Sequence, residues 1–138
     1  MNYPKEAIEK LTLYIRTGDT AAFNWLIANN YKELAMLRDG ISRHVKSLEW
    51  LLVNKHLVLA AFINAVWEDT KAFDILFQKR AFHWAAVANI INGDEKAILF
   101  LKKSGLDHYA QLAFAMQAKI RKEGDEGMNL FNSGPYKI

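Results

Sequence analysis

Apolar and polar positions recur along most of this chain at a fixed interval. Four segments of equal length align end to end without a gap, at residues 19–43, 44–68, 69–93 and 94–118. Every segment has a leucine at position 8 and an alanine at position 17: Leu26, Leu51, Leu76 and Leu101, then Ala35, Ala60, Ala85 and Ala110. Self-similarity at a fixed interval is typical of repeat proteins, in which each unit buries its apolar face against its neighbours.

Each segment contains two apolar patterns with helical spacing. Positions 4, 5 and 8 form the first pattern, and positions 16, 19 and 23 form the second. The segments therefore predict pairs of short helices joined by a turn at positions 11 and 12, which hold Asn29-Asn30, Asn54-Lys55, Lys79-Arg80 and Ser104-Gly105. Asp19, Asp69 and Asp94 stand at position 1, where a carboxylate caps the first backbone N–H groups of a helix.

The two ends of the chain extend this pattern. Residues 3–17 place Ile8, Leu11 and Ile15 on one face and predict an N-terminal helix that caps the first repeat. The run 121–127 predicts the end of the last helix. The tail at 123–138 then either folds back over the stack, which we favour, or hangs free. The whole chain, 1–138, is thus predicted to be one all-α domain, an α-α superhelix (right-handed solenoid) of about four 25-residue helical hairpins plus the N-terminal capping helix.

One segment resembles a known repeat family. Asn92–Gly105 (NGDEKAILFLKKSG) resembles the second half of an ankyrin repeat, in which an Asn-Gly turn precedes a helix of small residues and leucines that closes on glycine. Ankyrin units have about 33 residues with a β-hairpin finger and a Thr-Pro-Leu-His start, and HEAT and armadillo units are longer still. The shorter interval of this chain leaves no room for the finger. The resemblance implies an ankyrin-like array of helical hairpins over residues 3–122 that binds another protein.

Composition narrows the class of protein further. Apolar residues make up 51% of the chain, which excludes a disordered polymer. No apolar run approaches the roughly 20 residues that span a bilayer, and the chain starts without a leader pattern, so a cytoplasmic location without membrane contact is expected. Cysteine is absent, which removes disulfides and thiolate metal sites. The formal charge of +3 is compatible with nucleic acid but indicates no dense basic patch.

Histidine is the main candidate for catalytic or metal chemistry. His83 and His108 share position 15 of adjacent repeats, roughly 10 Å apart by helix-packing distances, which is too far for one zinc ion, so both are expected on the surface. No Ser/His/Asp set, phosphate-binding glycine loop or helical pair of metal ligands is visible. We therefore expect no enzyme, no catalytic residue, no metal and no cofactor. Trp25 and Trp50, at position 7, are expected in the core.

Two faces of the predicted helices differ in character. The outward positions of the first helices are polar: Thr20, Asn24, Lys46, Glu49, Lys71, Asp74, Glu95 and Lys96. The outward positions of the second helices mix apolar side chains with Asn and His, and this second-helix face is the expected partner site: Leu57, Val58, Asn64, Phe82, His83, Asn89, Ile90, His108 and Phe114. Such a surface fits a protein or peptide. Burial by the tail, by a further row of helices or by a dimer partner is the alternative.

A basic ridge is the second candidate for binding. It consists of cations near the turns between paired helices: Lys55, Lys79, Arg80, Lys102 and Lys103. A ridge of this kind can contact phosphates, although nearby carboxylates favour an ordinary solvated edge. The leading hypothesis is a protein-protein interaction scaffold that uses the second-helix face. The alternative is a nucleic-acid-binding helical array that uses the ridge. Neither the oligomeric state nor the curvature of the stack follows from the sequence.

Overall fold

The computed structural model describes the backbone of residues 3–131 and the side chains of residues 3–124. Nine α-helices follow one another in this part of the chain: α1 (Lys5–Thr17), α2 (Thr20–Ala28), α3 (Lys32–Gly40), α4 (Val45–Val53), α5 (Leu57–Val66), α6 (Thr70–Gln78), α7 (Phe82–Ile91), α8 (Lys96–Lys103) and α9 (Asp107–Phe131). No strand occurs among the described residues, so the all-α fold class is confirmed.

The helix starts keep the interval that the apolar pattern shows. The starts of α2, α4 and α6 are separated by one repeat interval each, and so are those of α3, α5, α7 and α9. Within the core, the leucines at position 8 are fully buried and the alanines at position 17 are at most 3% exposed. Small and large side chains therefore alternate where helices meet, which lets their backbones approach and interlock.

The turn inside each helix pair has one repeated geometry. Its second residue has a positive φ: Asn30 (66°), Lys55 (62°), Arg80 (56°) and Gly105 (71°). In the first pair, the Tyr31 N–H donates to the carbonyl of Leu26 at 2.8 Å and the Asn30 N–H donates to that of Ile27 at 3.2 Å. The other three pairs repeat these two bonds. This arrangement is a Schellman motif, which satisfies carbonyls that the helix end leaves open.

The turns between pairs are also closed by local bonds. The carboxylate oxygen of Asp19 accepts from the Ala22 N–H, that of Asp69 from the Lys71 N–H and that of Asp94 from the Lys96 N–H, each at 3.0 Å. The capping role predicted for the three aspartates is confirmed. In the remaining turn His44 makes no cap, and its Nδ1 lies 3.0 Å from the hydroxyl of Ser47.

The helices form an inner row and an outer row. Each of α2, α4, α6 and α8 packs against the two inner helices that flank it in sequence, and α3, α5, α7 and α9 contact one another in that order. The N-terminal helix α1 packs against α2 and α3, and it also packs along α9. The five helices α1, α3, α5, α7 and α9 therefore form a closed ring, which the repeat pattern does not predict.

Aromatic side chains from several of the inner helices pack together. Trp84 of α7 is fully buried and lies 5.0 Å from the ring of Phe62 in α5 and 5.4 Å from that of Tyr109 in α9. Tyr3, just before α1, lies 6.2 Å from Trp84 and donates a hydrogen bond to the carboxylate of Glu33 at 3.1 Å. One cluster thus joins all five inner helices.

Two sequence-based expectations need correction. Trp25 and Trp50 are half-buried rather than in the core: Lys10 lies over the ring of Trp25 at 5.9 Å and Lys32 over that of Trp50 at 5.0 Å. Position 7 precedes the buried leucine by one residue, which turns it about 100° away from the leucine's face. The second expectation that needs correction is the predicted end of the last helix.

The last helix is longer than the composition suggests. It runs to Phe131, past the predicted end within 121–127. A glycine inside a helix costs only about 1 kcal/mol relative to alanine, so the glycines in that run do not stop it. The prediction that the tail at 123–138 packs on the domain depends on residues 132–138 and on side chains after 124, which lie outside the described residues.

Candidate partner-binding groove

An apolar groove lies between α6 and α8, with α7 as its floor. Its cavity has a volume of about 410 Å³. Three phenylalanines form its walls, namely Phe77 at the end of α6, Phe82 at the start of α7 and Phe100 in α8. Their side chains remain 50%, 45% and 45% exposed, although each is a large apolar group. Exposed apolar clusters of this kind mark surfaces that contact another molecule.

Small residues make the floor of this groove. Ala85 and Ala86 of α7 and Ala97 of α8 line it and are themselves buried. Because alanine is small, no large side chain at these repeat positions fills the space between α6 and α8. The rings of Phe77 and Phe82 lie 5.9 Å apart across the turn between α6 and α7. That turn therefore fixes two of the three walls relative to each other.

The preceding repeat carries the same kind of residues at the equivalent positions. Leu52, Leu57 and Ile75 are 49%, 48% and 40% exposed. They correspond, one repeat earlier, to the three phenylalanines of the groove. Ala60 and Ala61 lie at the floor positions and are buried. The apolar surface therefore continues from the groove along the outer side of α5 and α6.

The turn and the helix end next to the groove's phenylalanines are positively charged. Lys79 and Arg80 form the turn between two of its phenylalanines, and Lys102 and Lys103 follow Phe100 in the last turn of α8. All four cations are exposed, as is Lys55 in the turn of the preceding pair. Asp94, which lines the groove beside Asn89 and Lys96, accepts from the Lys96 N–H at the start of α8.

The predicted partner-binding residues separate into several groups. Phe82 and Asn89 line the groove, and Leu57 and Asn64 are exposed on the preceding repeat. Val58 is half-buried. His108 lines a different cavity, of about 400 Å³, between α1 and α9. Burial, and to a lesser degree the nearby charge of Lys5, lowers the pKa of the His108 imidazole.

His83 and Ile90 are buried, at 8% and 3% exposure, so the expectation that both face outward is wrong. Position 15 of α7 faces α9, where the ring of His83 meets that of Tyr109 at 4.9 Å. Phe114 is half-buried and lines a third cavity, between α1, α3 and α9. These residues are covered because the inner helices pack on each other, as the alternative of burial by neighbouring helices anticipates.

Sequence reasoning missed Phe77 and Phe100 as surface residues. Phe77 follows the core leucine Leu76 and Phe100 precedes the core leucine Leu101. Since adjacent residues of a helix point about 100° apart, an aromatic residue directly beside a core leucine does not share its buried face. That signal is present in the repeat alignment.

The comparisons with known proteins give no relative. The chain matches no family model, and no curated protein and no solved structure matches it. In the part of the chain that the structure describes, no three His, Asp or Glu side chains are grouped so as to hold a metal ion. Among those same residues, no helix combines the length and the apolar character needed to cross a membrane.

Proposed function

We propose that this chain is a protein-interaction module whose groove between α6 and α8 receives an amphipathic helical segment of a partner protein. The observation that carries the proposal is the exposure of three phenylalanine walls, 45–50% each, around a floor of alanines. Covering each half-exposed ring contributes about 1 kcal/mol. Aromatic side chains in a pocket are also the residue type on which binding energy concentrates. The ankyrin-like resemblance of Asn92–Gly105 supports a protein partner.

The charges beside the groove indicate the chemistry of the partner segment. Lys79, Arg80, Lys102 and Lys103 stand close in sequence to its phenylalanines, while Asp94 is the only carboxylate among its described lining residues and accepts from the Lys96 N–H. Carboxylates that flank the apolar anchors of the segment complement this charge and speed its association. We infer a segment with leucine or aromatic residues at i, i+3 or i+4 and i+7, the spacing of a helix laid in a groove, and with Glu or Asp beside them.

Selection from a library of displayed helical peptides tests this proposal. The library holds Leu, Phe or Trp at the anchor positions and Glu or Lys elsewhere. We expect the intact chain to select Glu-rich peptides, and the double variant Phe82→Ala/Phe100→Ala to bind them roughly tenfold or more weakly in fluorescence anisotropy. Val53→Ala is the matched control, since Val53 is 78% exposed at another turn. Equal binding by the double variant contradicts the proposal.

Charge reversal separates the partner classes. In Lys79→Glu/Arg80→Glu the preference should change from Glu-rich to Lys-rich peptides. The alternative of a nucleic-acid-binding array, through the ridge of Lys55, Lys79, Arg80, Lys102 and Lys103, predicts retention on DNA or RNA that falls steeply with salt. That retention would survive the Phe82→Ala/Phe100→Ala change. If only nucleic acid binds, the peptide proposal is wrong. If the intact chain forms a dimer and the Phe82→Ala/Phe100→Ala change dissociates it, the occupant of the groove is a second copy of this chain.

A further inference from the structure

The third cavity, lined in part by Phe114, has a volume of about 620 Å³ and lies where α1, α3 and α9 meet. The residues of α1 that line it are at the end of that helix, whereas Tyr3 lies before its start. Four cationic side chains line it: Arg16 of α1, Arg38 of α3, and Lys119 and Lys122 of α9. Glu123 is the only carboxylate among its described lining residues. Three separate helices thus bring positive charge to one cavity.

The single carboxylate in this cavity is already engaged. Glu123 forms an ion pair with Lys119 one helical turn earlier in α9. The hydroxyl of Ser42, in the turn after α3, donates to Glu123 at 2.7 Å and accepts from the Lys119 ammonium at 2.9 Å. This triad ties α9 to the α3 turn and holds Lys119 in place. It neutralises one of the four cations and leaves Arg16, Arg38 and Lys122 without an ion pair among the described residues.

Arg38 is the best positioned of these unpaired cations. Its guanidinium lies over the ring of Tyr14, with Cζ 4.9 Å from the ring centroid, and one guanidinium nitrogen lies close to Gly18. Its Nε is buried and has no hydrogen-bond partner among the described residues. The planar fork of an arginine held in this way is suited to bind an oxyanion through two parallel hydrogen bonds.

The helix ends explain only part of this charge. Arg16 and Arg38 stand in the last turns of α1 and α3, where a cation offsets the partial negative charge of the C-terminal carbonyls. Lys119 and Lys122 belong to the interior of the long helix α9, where no such end effect applies. Among the described residues, only Glu123 offers a carboxylate to this cavity.

We propose that this cavity binds a small molecule that carries one or two phosphate groups. The phosphate oxygens accept from the Arg38 fork and lie between Arg16 and Lys122, while Lys119 stays with Glu123. A multiply charged phosphate ester matches three unpaired cations, and the volume holds a diphosphate with a small organic group. A ligand there contacts α1, α3 and α9 together and therefore stabilises the closed ring.

Titration with inorganic pyrophosphate at constant ionic strength tests this site. We expect saturable heat of binding and a rise in Tm for the intact chain. The double variant Arg16→Gln/Lys122→Gln should bind roughly tenfold or more weakly, because each charged hydrogen bond that is lost weakens binding substantially. Both changed residues are exposed, so the fold should persist. Lys46→Gln/Lys71→Gln removes the same charge from exposed positions of the outer helices α4 and α6 and is the matched control.

Absence of saturable binding overturns the proposal, and so does equal weakening in the two double variants, which would show only general attraction of anions. Arg38→Lys keeps the charge but loses the fork, and we expect it to weaken binding while Tm without pyrophosphate changes little.

A second arm uses phosphatidylcholine vesicles with and without phosphatidic acid. If the chain binds the phosphatidic acid vesicles and the Arg16→Gln/Lys122→Gln change abolishes this binding, the phosphate belongs to a lipid headgroup. If the chain binds pyrophosphate but not these vesicles, the phosphate belongs to a soluble molecule.

Discussion

Side-chain-bearing residues occupy left-handed backbone conformations at the turns of this protein. Asn30, Arg43, Lys55, Glu68 and Arg80 all have φ between 56° and 68°. Glycine takes the equivalent place at Gly18, Gly93 and Gly105. A Cβ atom in this region costs roughly 1 kcal/mol, a cost that glycine avoids and asparagine reduces. The chain therefore stores strain in several of its turns, at positions that the repeat alignment marks as turns without revealing their φ.

Arg80→Gly should relieve such strain. Because Arg80 has φ 56° and is exposed, we expect the free energy of unfolding to rise by about 0.5–1 kcal/mol. Lys79→Gly is the control, since Lys79 has φ −83° and gains nothing from glycine. Urea denaturation followed by circular dichroism gives both values. A loss of stability in Arg80→Gly would show that its side chain contributes more than its backbone conformation costs.

At the scale of helices, the sequence predicts most elements and misses how the last one ends. The repeat interval places every helix pair and every turn because buried leucines and alanines recur in register. The extension of α9 to Phe131 is not predictable from its glycines, since their helix penalty is small. The sequence predicts only some of the groove residues. The repeat alignment identifies Phe82 and Asn89, but it misses Phe77 and Phe100, which stand beside core leucines.

Side chains of one repeat also cap the helices of the repeat before it. The amide of Gln117 in α9 donates to the carbonyls of Ile90 and Ile91 at 3.1 and 3.2 Å, at the end of α7. The amide of Asn92 likewise donates to the carbonyl of Ala65 at 3.1 Å, near the end of α5. The carbonyls of Ile90 and Ala65 also accept from the N–H groups of Gly93 and Glu68, so these amides add a second donor there, and Gln117 supplies a donor to the Ile91 carbonyl at the helix end. These side-chain bonds are non-local, so propensity and periodicity do not reveal them.

Gln117→Ala should destabilise the protein through the end of α7. Loss of the amide leaves two partly buried carbonyls without this donor, and we expect a decrease of about 1–2 kcal/mol in the free energy of unfolding. The same substitution at Gln111, which is exposed on the same helix, should change stability by less than about 0.5 kcal/mol. Chemical denaturation distinguishes the two variants. Equal effects would mean that helix propensity, rather than capping, sets the result.

At the scale of the whole molecule, closure of the ring is the main feature that the sequence does not reveal. Curvature is the sum of small rotations between successive repeats, and no local pattern fixes that sum. Closure brings Tyr3 and Tyr109, from opposite ends of the domain, into the same buried cluster through Trp84. Burial, followed by the charge of Glu33, raises the pKa of the Tyr3 hydroxyl. Burial raises the pKa of Tyr109 to about 12.

Alkaline pH should therefore weaken the closed ring. The folded protein keeps the Tyr109 proton up to about pH 12, whereas the unfolded chain releases it near pH 10, so stability is complete below about pH 10 and falls as pH rises toward 12. We expect Tyr109 to contribute a loss of about 2 kcal/mol over that range. Urea midpoints measured across it should fall steeply in the intact chain. In Tyr3→Phe/Tyr109→Phe the fall should be much smaller, and an unchanged fall would exclude these two groups as its cause.

The contact between α1 and α9 has a consequence for synthesis. In a chain made from its N-terminus, α1 exists long before α9, the last helix against which it packs. In an open row of repeats each unit completes its core on the unit already made. Here the packing of α1 is complete only when α9 is present. The hydrogen bond between Ser42 and Glu123 likewise joins residues 81 positions apart. We therefore expect α9 to dock on α1 late in synthesis, as a long-range step that is slower than the local helix pairing before it.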